Sequence, residues 1–482
     1  MGLWPVGFPP MGSAVGGTLN PALRPFWALA VAAARFASVL APDRQGKLSR
    51  TLRARRQLLS RIQAEASRRR DPSRTLVWLH APSVGEGLQA RPVLELLRRR
   101  HPEWQLAFSW FSPSAVPFAA RLDVDLRAPL PFDGTHEAES ILDAWQPDVL
   151  AFVKLDVWPR LAERAQRRGV RTALISATLA PNSGRQGTLA RALLGDAYAG
   201  LDAVGAISAD DGGRLVRLGA KPARIEVTGD TRMDQVWSRM EGVPRSHAVW
   251  SLMPANGGAG VPHPAVPHAV APHPAAPEPA PPPVLVAGST WPADEAVLLP
   301  AIASWLARTP EARCIIAPHE PTEAHLAPIE AWARDTGLPC SRLGDAERPG
   351  GAEWRVLLVD RVGVLGDLYA LATIAFVGGG FHDAGLHSVL EPSAFGVPVL
   401  FGPRHQNARE AGALVRAGGG VVVPNSAVLG ATLHTLTQDV ARRTTAGAQA
   451  RALVQEGRGS TGRVVALIER LVAQREATRA SR

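Results

Sequence analysis

Residues 374–392 read IAFVGGGFHDAGLHSVLEP. Four apolar residues, three glycines and a helix-like start follow one another. A strand running through a glycine-rich loop into a helix is how parallel α/β folds offer backbone N–H groups to a phosphate. The dinucleotide fingerprint GxGxxG is absent and the loop is longer, so a dinucleotide site is not what the stretch predicts. Glu391, one turn further on, is suited to accept hydrogen bonds from ribose hydroxyls. The pattern repeats outward. In the second half, apolar runs occur at 284–287, 314–317, 356–359, 397–401 and 420–423, separated by helical patterns. In the first half they occur at 75–80 (TLVWLH), 149–153 (VLAFV), 172–176 (TALIS), 203–207 (AVGAI) and 224–228 (RIEVT). Apolar strands alternating with helices predict parallel sheets covered on both faces. Ligands of such sheets sit beyond the carboxyl ends of the strands, so motifs that follow strands deserve most weight.

The chain has 482 residues, enough for two or three domains at ~100–200 residues each. Between the two α/β halves, residues 254–283 read PANGGAGVPHPAVPHAVAPHPAAPEPAPPP, a solvated linker or exposed loop. His263, His268 and His273 recur there as repeat drift rather than as a metal site. The only cysteines are Cys314 and Cys340, which excludes a disulfide framework. The net charge of +10 favours anionic partners, and its location narrows the choice. Residues 43–70 hold ten Lys/Arg against two Asp/Glu, directly after the apolar stretch 26–42, FWALAVAAARFASVLAP. That stretch is shorter than the ~20 residues of a spanning helix and contains Arg35. It predicts an interfacial anchor on an anionic leaflet, the alternative being a basic helix packed on the protein itself. Without interleaved aromatics, the basic cluster favours lipid over nucleic acid.

Several motifs follow strands. His80-Ala-Pro-Ser-Val-Gly-Glu86 leads into a helix, where Glu86 is placed to take a proton from an attacking hydroxyl, or simply to favour the helix start. Lys154-Leu-Asp156 leaves the strand VLAFV before Trp158-Pro159. Gly229-Asp230-Thr231-Arg232 places a permanent cation after the last strand of the first half, where a nucleotide phosphate would profit from it. In the second half, Gly288-Ser289-Thr290 and Pro318-His319-Glu320 follow strands. Asp123-Val-Asp125 has the form of a metal-binding DxD but lacks supporting context, and no metal-ligand set or cofactor site is read.

Together these segments resemble the lipid A 3-deoxy-D-manno-octulosonic acid (Kdo) transferase family, over most of the chain from about Trp78 to Val423. HAPSVGE is similar to the family's HxxSVGE. Pro131-Phe132-Asp133 resembles its LPYD, AGST its AGSTH, VGGGF and GLHSVLEP its VGGS and GGHNPLEP, and FGPRHQNARE its GP and NF.E stretch. The resemblance implies a GT-B fold, α/β with two Rossmann-like domains facing a cleft, and a membrane-associating N-terminal helix. The expected division is 1–70 membrane-associating segment, 71–245 acceptor-binding domain, 246–283 linker and 284–482 CMP-sugar-binding domain. It implies inverting transfer of Kdo from CMP-Kdo to a lipid A precursor (lipid IVA), releasing CMP, at the cytoplasmic face of the inner membrane. Glu86 matches the family's general base, and Arg232 a lysine that stabilises departing charge. Pro318 and His319, Val362-Gly363-Val364 and Ser388-Val389-Leu390-Glu391 match segments that contact CMP. Three positions depart from the pattern. ETELWPN becomes KLDVWPR, which puts Lys154 where an active-site glutamate is expected. PRHPER becomes PHEPTE, and Val364 replaces an acid. A charge swap is the expectation, with Lys154 facing Glu320 or the donor carboxylate. The alternatives are a GT-B enzyme for another nucleotide sugar, a GT-B epimerase, and an inactive membrane-bound paralogue.

Overall fold

The computed structural model describes residues 24–40, 47–181, 183–243, 249, 252, 282–348, 353–383 and 385–481. The chain divides into two compact units, Met1–Arg232 with Gly459–Arg482, and Met233–Arg458. Each is built on a seven-stranded parallel sheet.

The first sheet comprises β1 (Leu76–His80), β2 (Gln105–Trp110), β3 (Leu126–Pro129), β4 (Val149–Val153), β5 (Arg171–Ala177), β6 (Ala203–Ala206) and β7 (Ile225–Val227), in the order β3-β2-β1-β4-β5-β6-β7. Every residue of β1, β2 and β4 is buried, as expected of strands covered on both faces. One face carries helices Leu58–Arg69, Thr135–Trp145, Pro159–Arg167, Thr188–Gly200 and Ala209–Leu218. The other is covered by helix Val84–Arg100 and by the last helix, Ser460–Ala480.

That last helix corrects the expected division, which assigned 284–482 to one domain. Val464, Val465, Leu467, Ile468, Leu471 and Val472 are buried against helix Val84–Arg100 and against β4, β5 and β6. Arg479 pairs with Asp148 at 2.6 Å, and Asp148 accepts the Leu76 N–H at 3.0 Å. The reason is surface coverage: helix Val84–Arg100 alone cannot shield the apolar face of β4 and β5. At ~1.5–3 kcal/mol per buried aliphatic side chain, an upper bound, burial of these residues is the main gain that holds the helix on this face.

The second sheet comprises β8 (Val284–Thr290), β9 (Arg313–Pro318), β10 (Cys340–Arg342), β11 (Val356–Leu358), β12 (Ile374–Val377), β13 (Val399–Phe401) and β14 (Gly420–Val422), in the order β10-β11-β9-β8-β12-β13-β14. Helices Pro292–Arg308, Glu323–Asp335 and Ser426–Gln438 bury one face. Helix Thr231–Glu241 contributes Val236, Trp237 and Met240 to the other, so the division falls inside this helix rather than at residue 245. Of the expected linker 246–283, including His263, His268 and His273, all but four residues lie outside the described residues. Val249 and Leu252 belong to the core of the second unit, and Trp354 donates its indole N–H to the Leu252 carbonyl at 3.2 Å.

The N-terminal basic segment splits into two populations. Arg55 is buried with its guanidinium 3.7 Å over the Phe111 ring and donates to the Thr51 and Phe111 carbonyls. Arg70 donates to the Trp145 and Gln146 carbonyls. These two residues hold the fold together. Arg50, Arg56, Arg61, Arg68 and Arg69 are exposed. In helix Arg24–Leu40, Trp27 donates to the Asp133 carbonyl at 2.8 Å and Arg35 pairs with Glu137, while Leu29 and Phe36 are 70% and 68% exposed. Among the described residues no helix is long and apolar enough to cross a membrane.

Candidate active site

In the first sheet the strand order reverses direction at β1, which lies between β2 and β4. Such a switch point opens a crevice beyond the carboxyl ends of the two diverging strands. Glu86 follows β1 and Lys154 follows β4, so the topology brings together two groups 68 residues apart. Lys154 Nζ donates to Glu86 Oε1 at 3.1 Å, and Ser83 Oγ donates to Oε2. Ser83 stands three residues before Glu86, the spacing of a capping box. The box is not made, because Ser83 gives no side-chain cap to the helix and bonds the carboxylate instead. The carboxylate therefore has partners that helix capping does not explain. Burial raises the Glu86 pKa, but the Ser83 hydroxyl and the Lys154 ammonium together outweigh it and hold the carboxyl below its usual range. The Glu86 side chain is 16% exposed and Lys154 44%.

The segment 154–156 is pinned from behind. Lys154 has φ 68, left-handed for a non-glycine residue, and its N–H is tied to the Ile175 carbonyl at 2.9 Å. The Leu155 carbonyl accepts from Tyr198 Oη at 2.7 Å and from Arg185. Asp156 Oδ2 accepts from Trp158 Nε1 at 2.9 Å and lies 3.4 Å from Nε2 of the buried His80. Trp78 Nε1 donates to Ser109 Oγ at 2.8 Å, so the Ser109 proton goes to His80 Nδ1, also 2.8 Å away. The hydrogen-bond network thus assigns the remaining imidazole proton to Nε2, facing Asp156. Burial raises the Asp156 pKa, yet His80 and Trp158 keep it below the usual carboxylate range. Further back, the buried Asp133 accepts the N–H groups of Arg160 and Leu161 at 3.0 and 2.9 Å, capping helix Pro159–Arg167 from a distant segment.

Arg232 is engaged by Asp230, whose carboxylate accepts its Nη2 at 2.6 Å and its Nε at 3.0 Å. Asp123 and Asp125, the DxD pair, both lie against Arg98, at 3.4 and 2.7 Å. Lys154 was expected to face Glu320 or a donor carboxylate; its observed partner is Glu86, within the first unit.

In the second sheet the order reverses at β8, between β9 and β12. The glycines after β12 are required by close backbone packing: a Cβ on Gly378 would meet the Ser289 carbonyl oxygen at 2.2 Å, and one on Gly380 would meet Gly402 N at 2.4 Å. The loop's amides go elsewhere than expected for a phosphate cradle. The buried Asp294, in the first turn of helix Pro292–Arg308, accepts the Gly379 N–H at 2.7 Å and the Phe381 N–H at 3.1 Å. Beside it Trp291 stacks on His382 and His319 at 4.5 and 4.6 Å, and donates to His387 Nε2 at 3.1 Å. His387 stacks on His319 at 4.4 Å. Burial, with His319 and His382 nearby, pushes the His387 pKa down to about 4, so its ring is neutral at physiological pH.

Pro318 is buried and His319 exposed at the end of β9. Val362 and Gly363 are exposed, with Val364 half-buried. Val389 and Leu390 are wholly buried, whereas Ser388 and Glu391 present side chains. Burial raises the Glu391 pKa against the opposing pull of Arg239.

A family model described as 3-deoxy-D-manno-octulosonic-acid transferase (kdotransferase) matches residues 50–235, the span that holds Glu86, Lys154 and Arg232. The 3-deoxy-D-manno-octulosonic acid transferase of Bordetella pertussis is 28% identical over 402 residues, covering 82% of this chain and 86% of that one. That of Haemophilus influenzae is 22% identical over 82% of this chain and 86% of its own. The chain is similar to Kdo transferases over most of its length. The crystal structure of UDP-GlcNAc 2-epimerase from Neisseria meningitidis shares the fold, with TM-score 0.53 and 13% identity over 80% of this chain and 99% of that one. The two Rossmann-like sheets of this chain are thus GT-B-like. The sequence singles out Glu86, Lys154 and Glu391 but not the partners that surround them. The S-x-x-E spacing of Ser83 and Glu86 was an available signal. Asp294, Trp291 and Arg239 carried none.

Proposed function

We propose that this chain transfers Kdo from CMP-Kdo to a lipid A precursor with inversion, Glu86 acting as general base. The observation that carries this reading is Glu86 at the first switch point, ionised, with one donor on each carboxylate oxygen. In the reaction the acceptor hydroxyl oxygen attacks the anomeric carbon of Kdo, and its proton passes to Glu86. The bond from that carbon to the CMP phosphate oxygen breaks and CMP leaves with the electron pair. A base within hydrogen-bond reach of the hydroxyl typically contributes ~10²–10⁴-fold in rate. Lys154 is the ordering cation of this step. It keeps Glu86 ionised, and its ammonium is available to the carboxylate that Kdo carries on its anomeric carbon. Arg232, held by Asp230, is assigned to charge developing on the departing phosphate.

The second unit is assigned to the nucleotide through Pro318, His319, Val362, Gly363, Val364 and the segment Ser388-Val389-Leu390-Glu391. The neutral His387 ring adds a polar group that carries no charge of its own. For the acceptor, we place the first unit at an anionic membrane surface on the cytoplasmic side of the inner membrane. Exposed Leu29 and Phe36, seven residues and two turns apart on one helical stripe, would enter the interface. Exposed Arg50, Arg61, Arg68 and Arg69 would lie over the headgroups.

The test is incubation of purified protein with lipid IVA and CMP-Kdo generated in situ, comparing wild type with Glu86→Ala by mass spectrometry. A mass gain of one or more Kdo residues in wild type and none in the variant is the expected result. Product from both overturns Glu86 as base, and product from neither overturns the donor and acceptor assignment.

A further inference from the structure

The nucleotide segments of the second unit meet on one side chain that no motif singled out. Arg239 projects from helix Thr231–Glu241, whose Val236, Trp237 and Met240 are buried in the core. The helix is held further by Arg458 and Arg451, stacked 4.3 and 5.0 Å from the Trp237 ring. From this rigid base the guanidinium reaches three places. Nε donates to Asp367 Oδ1 at 2.9 Å, Nη2 donates to the Gly363 carbonyl at 3.1 Å, and Nη1 lies 3.5 Å from Glu391 Oε1. Room for it is made by Gly366, where a Cβ would lie 2.4 Å from the guanidinium carbon. Gly363 has φ 94, a left-handed turn that fixes where its carbonyl points.

Three acceptors at three angles suit the planar five-donor fork of arginine, and a lysine ammonium could not meet them all. One guanidinium set against two carboxylates leaves residual negative charge, which suits hydroxyl donors and repels phosphate. Glu391 is the carboxylate of the pair placed to take a ribose diol, and burial works against its charge.

We propose that Arg239 is a positioning residue for the donor nucleotide, tying Gly363, Asp367 and Glu391 into one frame that aims the Glu391 carboxylate at the ribose hydroxyls. This rests on the reading of the second unit as the CMP-sugar site. Arg239 itself need not touch the nucleotide. Its effect is on how well the site distinguishes a nucleotide with a ribose diol from one without.

Isothermal titration of the full chain with CMP and with 2′,3′-dideoxy-CMP tests this. A site built to hydrogen-bond hydroxyls through a charged acceptor should favour CMP by ~10-fold or more. Arg239→Gln is expected to bring that ratio to within about threefold of unity, as Glu391→Gln does, while dideoxy-CMP binds as to wild type. Arg239→Lys should fall between. An unchanged ratio in Arg239→Gln overturns the proposal, and so does an equal loss for both ligands, which marks a purely structural role. Wild type that binds CMP without preferring it to the dideoxy analogue also overturns it. Wild type that binds no CMP overturns the underlying reading of the second unit.

Discussion

Replacing Lys154 by glutamine removes a positive charge 3.1 Å from the Glu86 carboxylate and keeps an N–H donor on a side chain one bond shorter. The Coulomb energy at that distance is ~5 kcal/mol at an effective dielectric of 20 and ~1.3 kcal/mol in bulk water. Lys154 is 44% exposed, so solvent screening brings the figure towards the lower bound, ~1–1.5 kcal/mol. That is about a tenfold change in an equilibrium constant. In the wild type Ser83 and Lys154 together overcome burial and depress the Glu86 pKa; without Lys154 the raising effect of burial gains ground. The sign is therefore fixed: the variant carboxyl binds its proton about tenfold more tightly. A general base is active when deprotonated, so the acid limb of kcat/KM should move to higher pH, by a tenfold drop in the proton concentration at half-maximal rate. Well above that limb the base is ionised in both, so any rate still missing there measures the second role of the ammonium, at the Kdo carboxylate. Initial rates of Kdo transfer to lipid IVA from about pH 3 to 8, at constant ionic strength, measure this. An acid limb that stays in place, or moves to lower pH, would refute the assignment of Lys154 as the group that keeps Glu86 charged.

Lys154→Glu places a second carboxylate beside Glu86 and should abolish transfer near neutral pH; a variant that keeps its rate would remove Lys154 from the mechanism. Lys154→Gly and Lys154→Ala both delete the ion pair, but only glycine relieves the positive φ, so thermal unfolding should find the glycine variant more stable by ~1 kcal/mol. Equal melting temperatures would place no strain at that position. Asp133→Ala leaves two buried N–H groups of helix Pro159–Arg167 without acceptors and should cost ~2–4 kcal/mol in denaturant unfolding, with Asp133→Asn intermediate. Leu467→Ala, near the end of the chain, should destabilise the first unit by ~2–5 kcal/mol, read by hydrogen exchange of β4 and β5 amides. Loss of protection confined to the second unit would contradict the packing described for the last helix.

The central strands were legible because burial on both faces forces an apolar run, as in VLAFV and IAFV. The strands that escaped reading are β2, β3 and β10. β2 (QLAFSW) is interrupted by polar residues, and its buried Ser109 is there to serve His80 and Trp78. β3 is a four-residue edge strand with alternating burial that ends on a proline, and β10 is a three-residue edge strand carrying Ser341 and Arg342. Edge strands need bury only one face, so their composition carries little signal. The last helix has the periodicity of any amphipathic helix, and nothing in its residues names the sheet it will cover. Long-range pairing was hidden for the same reason. Glu86 and Lys154 are 68 residues apart and Arg239 and Gly363 are 124 apart, so only the strand order brings each pair together. Glu86 was legible as a type and place, and Lys154 as a departure from the family pattern, but their mutual contact was not.

Lys154 is also where the backbone and the chemistry make opposing demands. Three non-glycine residues adopt left-handed conformations just at or beyond strand ends of the two sheets: Lys154 at φ 68, Ser176 at φ 47 and Ser289 at φ 55. Each costs ~1–3 kcal/mol and persists only where the surroundings over-determine it. For Ser176 the surroundings are visible, since its hydroxyl lies 3.1 Å from that of the buried Thr231, whose Oγ1 donates to the Gln89 carbonyl at 2.8 Å. For Ser289 they are the backbone approach that requires Gly378. At 154 a glycine or asparagine would satisfy the turn with less strain, and the Ile175 carbonyl would hold any residue's N–H equally well. A long cationic side chain at that φ gains nothing from the turn itself. What it gains is reach: the left-handed turn delivers the ammonium to Glu86 from a neighbouring strand. The loop sets the strained conformation, and the ion pair is what a long cationic side chain draws from it. It explains how one substitution at a strand end changes the electrostatics of the base without rebuilding the sheet beneath it.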